Sequence, residues 1–476
     1  MSRNHKPAVR YPPTVDIRLA AAVVAGRSAA RASRLLRRGG GTALPGLVAE
    51  RVDPAVVRKL ALRFGRGAVT VTGTNGKTTA SRVLASILEA SNVPFLHNRE
   101  GSNLMRGIGS TLLLDRGIRA PHHDRLLLLE VDEATMPAAT AAVAPRALAF
   151  TNLFRDQLDR YGEVDTVAAM WREALAAAPR DATLILNADD PSVAELALDW
   201  AGPVHWFGLD DEAFATTSAG AFDARWCRRC GSTFTYERRY FAHAGIWACP
   251  GCGRTRPAPD TAGTNVRLAL DSASFDVPGI GELTMPLSGT YNVYNALAAI
   301  GLARVLGLPS EAIRQGVAAV APAFGRQEAV RVDGRDVRLL LTKNPAGANE
   351  VLRLLATVAR EAPDGNVNVA VLLNDRFADG QDVSWTWDVD YELLAGHVGR
   401  CWAGGDRGPD MALRLKYAGW PESSATVADP AALLDAILRD TPSGARIFVI
   451  PTYTAMLDFR AELVRRGAAG AFWERE

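Results

Sequence analysis

Residues 69–79 read Val-Thr-Val-Thr-Gly-Thr-Asn-Gly-Lys-Thr-Thr: a β-branched run enters a glycine-bearing turn, and a helical pattern follows over 80–90. That combination can cradle a polyphosphate. Gly73 and Gly76 let backbone N–H groups close around an anionic oxygen, and the following helix aims the positive end of its dipole at the same place. Lys77 is placed to reach the β- and γ-phosphates and the Thr78 hydroxyl to sit on Mg²⁺, with Thr74, Asn75 and Thr79 completing the loop.

A second group of chemically capable residues lies in 222–257. Cys227 and Cys230 form one CxxC turn, and Cys249 and Cys252 form another. Each turn is followed by glycine and can point two thiolates at a single Zn²⁺. Four thiolates leave no open position for water, so the expected role is structural. The fifth cysteine, Cys401, has His397 four residues before it. That is a weak companion for a thiolate nucleophile, and Cys401 is expected to be a partly buried structural residue. Residues 374–392 gather Asp375, Asp379, Asp382, Asp388 and Asp390 around Trp385 and Trp387. Such acids can cap turns, and such tryptophans can anchor a core or an interface.

These groups must be held by a chain of 476 residues, too long for one core, and about three domains are expected. A hydrophobic content of 48% with 22% charged residues describes an ordinary soluble globular protein. Basic and acidic residues number 54 and 52, so the net charge of +2 gives no overall pull on a polyanion. Cysteines in CxxC pairs fit a reducing cytoplasm with bound metal. No apolar run has the roughly 20 residues a membrane span needs. Residues 14–38 read as a basic helix bearing Arg27, Arg31, Arg34, Arg37 and Arg38; packing on the protein and resting on an anionic membrane surface both stay open for it.

From residue 51 the pattern is of apolar strands (VTVTG, RLLLLEVDEA, ALAFTN, TLILNADDP) alternating with helices, the signature of a parallel sheet covered on both faces. Ligands of such sheets lie at the carboxyl ends of the strands, where the polar motifs fall. The expected division is a basic helical segment at 1–50, an ATP-binding α/β domain at 51–325 interrupted by the zinc-ribbon insertion at 222–257, and a C-terminal α/β domain at 326–476.

The motifs GTNGKTT, LLLLEVDEA, TNLFRDQLDRYG, LNADDP, GTYNVYNALAA and FGRQE stand in an order that resembles the Mur-type ATP-dependent ligases, over roughly residues 50–330. The cysteine insertion together with TKNPAGANEVL, NDRFADGQDVSWTWDVDYE and PTYTAML resembles the MurT family in particular. The resemblance implies an α/β fold with a Mur-ligase-type P-loop nucleotide-binding domain. It implies an ATP-dependent carbon–nitrogen ligase, the synthetase subunit of a glutamine-hydrolysing lipid II isoglutaminyl synthase. That subunit amidates the α-carboxyl of D-glutamate in the stem peptide through an acyl phosphate, in the cytoplasm or at the inner face of the membrane. It also implies that Glu130 binds metal, that Asn292 and Asn295 lie near the base, that Asn187 and Asp189 sit in the neighbouring loop, and that Arg326 is the hinge arginine. Ammonia would come from a GatD-like glutaminase, whose Cys-His pair is completed by Asp388 or Asp382 of this chain.

The sequence departs from the amino-acid-adding relatives in three places. Trp171 stands where they carry a carbamoylated lysine, Gln157 replaces their histidine, and LLTKNP (340–345) lacks their ribose-binding acid. These departures count against the alternative of an amino-acid-adding or folylpolyglutamate-type ligase. A further alternative is a zinc-ribbon nucleic-acid binder using Arg228, Arg229, Arg238 and Arg239; it leaves the phosphate loop unexplained, and no nucleic-acid partner is expected.

Overall fold

The computed structural model describes residues 16–35, 43–98, 102–115, 124–154, 164–215, 224–321 and 326–470. The apolar runs around the glycine loop are strands buried along almost their whole length. Strands β1 (Ala68–Thr72), β2 (Phe95–His97), β3 (Leu126–Glu130), β4 (Ala147–Phe150), β5 (Thr183–Asn187) and β6 (Val204–Leu209) run parallel in the order β2-β3-β1-β4-β5-β6. β1 sits between β3 and β4, with Val71 opposite Glu130 and Thr72 opposite Phe150. The chain therefore leaves β1 where the strand order reverses, the crevice in which open α/β sheets take their ligands.

The Cys-rich residues contribute an antiparallel ribbon of β7 (Thr235–Phe241) and β8 (Ala244–Ala248) outside the main sheet. The sheet then grows beyond what alternation foretold: β9 (Thr261–Leu268) joins β6 in parallel, and β10 (Ala273–Val277) and β11 (Gly281–Met285) add antiparallel.

Helices cover both faces. On one, Lys77–Ala90 buries the i, i+3, i+4 stripe Ala80, Val83, Leu84, Ile87 and Leu88. The helix Thr290–Val305 wedges beside it and is buried nearly all round, its alanines allowing close approach. On the other face, the helix Ile17–Leu35 packs on Leu44–Val52, and Leu19, Ala22 and Ala49 share one core with Leu127, Leu148 and Trp171. Arg27 is engaged by the backbone oxygens of Leu113 and Asp115 (2.9 and 2.7 Å), while Ile17 and Val24 face outward. Arg37, Arg38 and the side chain of Arg34 lie outside the described residues. Among the described residues no helix is long and apolar enough to cross a membrane.

A second sheet begins at Arg326: β12 (Arg326–Val332), β13 (Arg335–Leu340), β14 (Val367–Leu372), β15 (Val398–Gly404), β16 (Thr426–Val427) and β17 (Arg446–Pro451), in the order β12-β13-β17-β14-β15-β16. All pairs but β12–β13 are parallel. Its carboxyl edge at Leu340 turns toward the glycine loop: Asn344 caps the helix Pro345–Glu361 and donates from Nδ2 to Asn75 Oδ1 at 3.0 Å. Arg338 pairs with Asp271 across the same boundary.

Candidate active site

The glycine loop is held from behind by the segment that follows β4. Thr74 N–H donates to Asn152 O (3.1 Å), Asn75 N–H donates to Asn152 Oδ1 (2.9 Å), and both the Thr151 hydroxyl and the Asn152 amide donate to Asn75 O (2.9 Å each). The two glycines are required by space as well as by conformation. Gly73 has φ +143° and a Cβ there would lie 2.0 Å from Thr151 Oγ1; Gly76 has φ +83° and a Cβ there would lie 1.9 Å from Asn295 Oδ1. Gly76 is also the N-cap of Lys77–Ala90, so the helix begins directly behind the loop.

Lys77 folds back over this loop. Its ammonium donates to Gly73 O and to Glu133 Oε1, each at 2.7 Å. Glu133 stands on a short turn after β3 capped by Asp132 and is buried. Burial pushes its carboxyl up, and Lys77 pulls against that shift. The charge of Lys343, next to Asn344, acts on the same carboxylate. Glu133, Asn344, Thr151 and Asn152 are loop contacts that the sequence reading did not single out. Glu133 lay within the quoted strand motif, three residues past Glu130, and that spacing was the available signal.

Glu130 ends β3 and is buried; Asn103 donates to its Oε1 at 3.4 Å, and Asn98 fixes its backbone. Asn295 donates to Asn292 Oδ1 (3.3 Å) and Asn292 to Ser288 O (2.7 Å), so the pair forms one edge of the loop. Thr79 is buried and Thr78 half-buried. Arg326 opens β12 opposite Leu340; its side chain lies outside the described residues, as does Gln157. Beside Thr290 a cavity of about 190 Å³ opens between the two sheets, lined by Tyr240, Leu268, Leu270, Glu350 and Arg353 among others. Burial pushes the Glu350 carboxyl up against the pull of Arg353.

Asn187 donates to Thr151 O (3.0 Å) and thereby props the segment that props the loop. Asp189 is turned another way. Its fully buried carboxylate accepts from Arg256 (2.6 Å), Tyr294 OH (2.6 Å) and Leu209 N–H (2.8 Å), tying the cysteine insertion and the helix Thr290–Val305 to the sheet. Trp171 is fully buried with its ring 5.1 Å from Phe150, so the position of the relatives' modified lysine is a core position here.

In the insertion, the sulfurs of Cys227, Cys230, Cys249 and Cys252 lie within 4.8 Å of one another, with Cys227–Cys252 at 3.8 Å and Cys230–Cys249 at 3.4 Å. A tetrahedron with metal–sulfur bonds of about 2.3 Å has edges of about 3.8 Å, so the donor set fits one Zn²⁺. The turns close alike, with Gly231 N–H on Cys227 O (2.8 Å) and Gly253 N–H on Cys249 O (2.9 Å), both glycines having φ near +75°. Burial pushes the Cys227 thiol up, but Arg254 at 3.0 Å and backbone N–H groups outweigh it and bring it down to about 6. Arg228 and Arg238 pair with Asp165 and Glu212 within the protein.

In the C-terminal domain, Asp382 and Asp388 are both exposed. The Ser384 side chain and N–H (2.8 Å) hold the Asp382 carboxyl below its usual range. Asp388 ends the turn Ser384–Asp388, which is fixed by buried Arg414 through Thr386 O (3.2 Å), Val389 O (2.6 Å) and Glu392. Next to it, Trp387 is 54% exposed and packs edge-on against Tyr417, 71% exposed, with Leu413 one helical turn away. Cys401 is buried and donates to Pro421 O (3.0 Å), while the His397 ring faces Gly365 O (3.1 Å); the two do not form a pair.

Comparison with known proteins covers about nine-tenths of the chain. Residues 71–230 match the Mur ligase middle domain family and 341–456 the MurT ligase C-terminal family. The chain is 34% identical to the lipid II isoglutaminyl synthase (glutamine-hydrolyzing) subunit MurT of Streptococcus pneumoniae, over 91% of this chain and 94% of that protein. To the protein of the same name from Staphylococcus aureus it is 31% identical, over 90% and 94%. A pseudomurein peptide ligase type C from Methanothermus fervidus shares the fold, with a TM-score of 0.64 and 19% identity over 84% of this chain and 78% of that one. Identity of 34% over nine-tenths of the chain, together with the two family matches, places this chain in the MurT family, on a Mur ligase fold with a four-cysteine insertion.

Proposed function

We propose that this chain is the ligase subunit of a lipid II isoglutaminyl synthase, converting the α-carboxylate of D-isoglutamate in the lipid II stem peptide to the carboxamide of D-isoglutamine at the expense of ATP. The observation that carries the reading is the Gly73–Thr79 loop with Lys77 at its mouth, set in a chain related to MurT over more than nine-tenths of its length.

A carboxylate and ammonia do not condense until one oxygen is made a leaving group. The γ-phosphoryl group of ATP passes to a carboxylate oxygen, leaving ADP and an acyl phosphate. Ammonia then attacks the carbonyl carbon, the carbon–oxygen bond to phosphate breaks, and a proton is lost to solvent. Such transfers need in-line placement and neutralised charge more than covalent help. Lys77, on exchanging Glu133 for phosphate oxygens, supplies a cation, and the Gly73–Gly76 backbone supplies N–H donors. Thr78 and Glu130 are the residues to hold Mg²⁺, which would neutralise the transferring oxygens. Asn292 and Asn295 border the nucleotide, Arg326 lies at the hinge, and Lys343 brings a second cation from the C-terminal domain.

The ammonia source is a separate glutaminase of the GatD kind. A thiolate–histidine pair is missing among the described residues, since Cys401 is buried away from His397. The exposed Trp387, Tyr417 and Leu413 suit a partner surface with Asp388 at its rim. Asp388, with Asp382 as the alternative, orients the partner's histidine. Cys227, Cys230, Cys249 and Cys252 hold one Zn²⁺. The site of action is the cytoplasm, and Ile17 and Val24 on the first helix offer an apolar contact with the inner face of the membrane.

The test is to incubate the chain with lipid II, ATP, Mg²⁺ and ammonium salt and weigh the product. A mass decrease of about 1 Da, as oxygen plus hydrogen gives way to an amino group, is expected only when ATP is present. Unchanged lipid II alongside ATP hydrolysis would sink the reading.

A further inference from the structure

The tip of the β7–β8 hairpin points inward. Hairpin tips usually meet water, yet His243, in the two-residue turn with Ala242 (φ +46°), is fully buried. Its Nε2 lies 3.2 Å from Asp190 Oδ2, and its ring centroid is 4.6 Å from that of Phe154. Asp190 is itself fully buried and accepts the N–H of Leu153 at Oδ2 (2.8 Å) and those of Ser192 and Val193 at Oδ1 (2.9 and 3.3 Å). Burial pushes its carboxyl up, but His243 and these N–H groups outweigh that and hold it below its usual range. One residue further on, Phe154 donates its N–H to Thr74 Oγ1 (3.0 Å) and accepts the Thr74 hydroxyl at its carbonyl (3.1 Å).

We propose that His243 is a positioning residue for the phosphate-binding loop, acting from the tip of the cysteine insertion through Asp190 and the Leu153–Phe154 peptide on Thr74. The inference rests on the nucleotide reading of that loop. An apolar residue would fill the tip at lower desolvation cost; what the buried pair adds is direction, because Asp190 must lie where both His243 and Leu153 N–H reach it. The rest of the ribbon is docked on the loop after β5 that carries Asp190: Gly245 N–H donates to Asp189 O (2.9 Å) and Trp247 Nε1 to Ala188 O (2.9 Å). The cysteine cluster therefore anchors a hairpin whose other end sets the loop, so loss of its metal reaches the nucleotide site.

The experiment compares full-length wild type with His243→Gln, which keeps an N–H donor, and His243→Leu, which keeps bulk without one. Hydrogen exchange of the amides in 73–77 and 151–154 is followed in nucleotide-free protein, with bound zinc by elemental analysis and affinity for a non-hydrolysable ATP analogue by calorimetry. His243→Leu should retain its metal, exchange faster at those amides, and bind the analogue about tenfold more weakly, while His243→Gln stays nearer wild type. Wild-type exchange and affinity in His243→Leu overturn the proposal, as does loosening spread evenly through the chain. Should His243→Leu not fold, the double variant His243→Leu/Asp190→Asn removes the stranded charge, and unchanged exchange at 151–154 in it is equally fatal. Loosened amides in a chain whose wild type binds no ATP analogue would sink the nucleotide reading, and with it the loop's phosphate role, while leaving the coupling of His243 to residues 73–77 in place.

Discussion

Gly76→Ala tests the geometry of the loop at its tightest point. The residue has φ +83°, a conformation that costs an alanine about 1–2 kcal/mol. Its new Cβ would lie 1.9 Å from Asn295 Oδ1 and 2.6 Å from Asn295 Cγ, so the asparagine must turn away. Doing so gives up its 3.3 Å hydrogen bond to Asn292, a loss of about 1 kcal/mol at a buried site. The stiffer unfolded chain returns about 0.4–1 kcal/mol. The net expectation is a loss of about 2 kcal/mol, read from urea unfolding of the variant against wild type. In an Asn295→Ala background the clash is absent and only backbone strain remains, so the same change should cost about 1 kcal/mol less. A Gly76→Ala penalty identical in both backgrounds would refute the claim that Asn295 presses on the loop. No penalty in either would refute the left-handed conformation itself.

Lys77→Ala should abolish ATP-dependent amidation and also cost stability, because it leaves the buried Glu133 carboxylate without its cation. Burial already raises that carboxyl, and a group whose folded pKa is raised favours the folded state below its unfolded pKa and loses that benefit as pH rises through the folded value. The stability deficit of Lys77→Ala should accordingly be smaller at pH 5 than at pH 8 by chemical denaturation, and Lys77→Ala/Glu133→Gln should recover most of it without recovering activity; equal deficits at both pH values would dissociate the pair. Protein purified without chelator should carry one zinc per chain, and Cys230→Ser/Cys252→Ser should lower both metal content and melting temperature; metal-free wild type would reject the cluster as a zinc site. Asp388→Asn should depress glutamine-driven amidation in the complex while sparing ammonium-driven amidation, since it would act on the partner's histidine. Equal loss with both nitrogen sources would assign Asp388 to the fold, and an effect confined to Asp382→Asn would move the role there.

The legible part of this protein is local. A strand, a glycine loop and a helix in direct succession define the phosphate cradle within residues 69–90, because each piece is specified by its own neighbours. Each CxxC turn is equally local, while the β7–β8 hairpin between the two brings their sulfurs together. The near-complete burial of β1, β3, β4 and β5 followed from continuous apolar runs, and the candidate loop stands at a strand end. What the chain order does not encode is which distant side chain meets which. Glu133 stands 56 residues from Lys77 and pairs with it only because β3 lies beside β1. Asn344 reaches Asn75 across 269 residues because β13 ends opposite the loop. Asp189 read as a loop residue near nucleotide, but Arg256 and Tyr294 converge on it once the insertion folds back. The insertion itself read as a structural metal module; only the tertiary fold turns its hairpin inward, where burial forces His243 to find Asp190. Sequence fixes what a residue can do, and packing fixes whom it does it with, because a buried polar group must take the partner that topology places in reach.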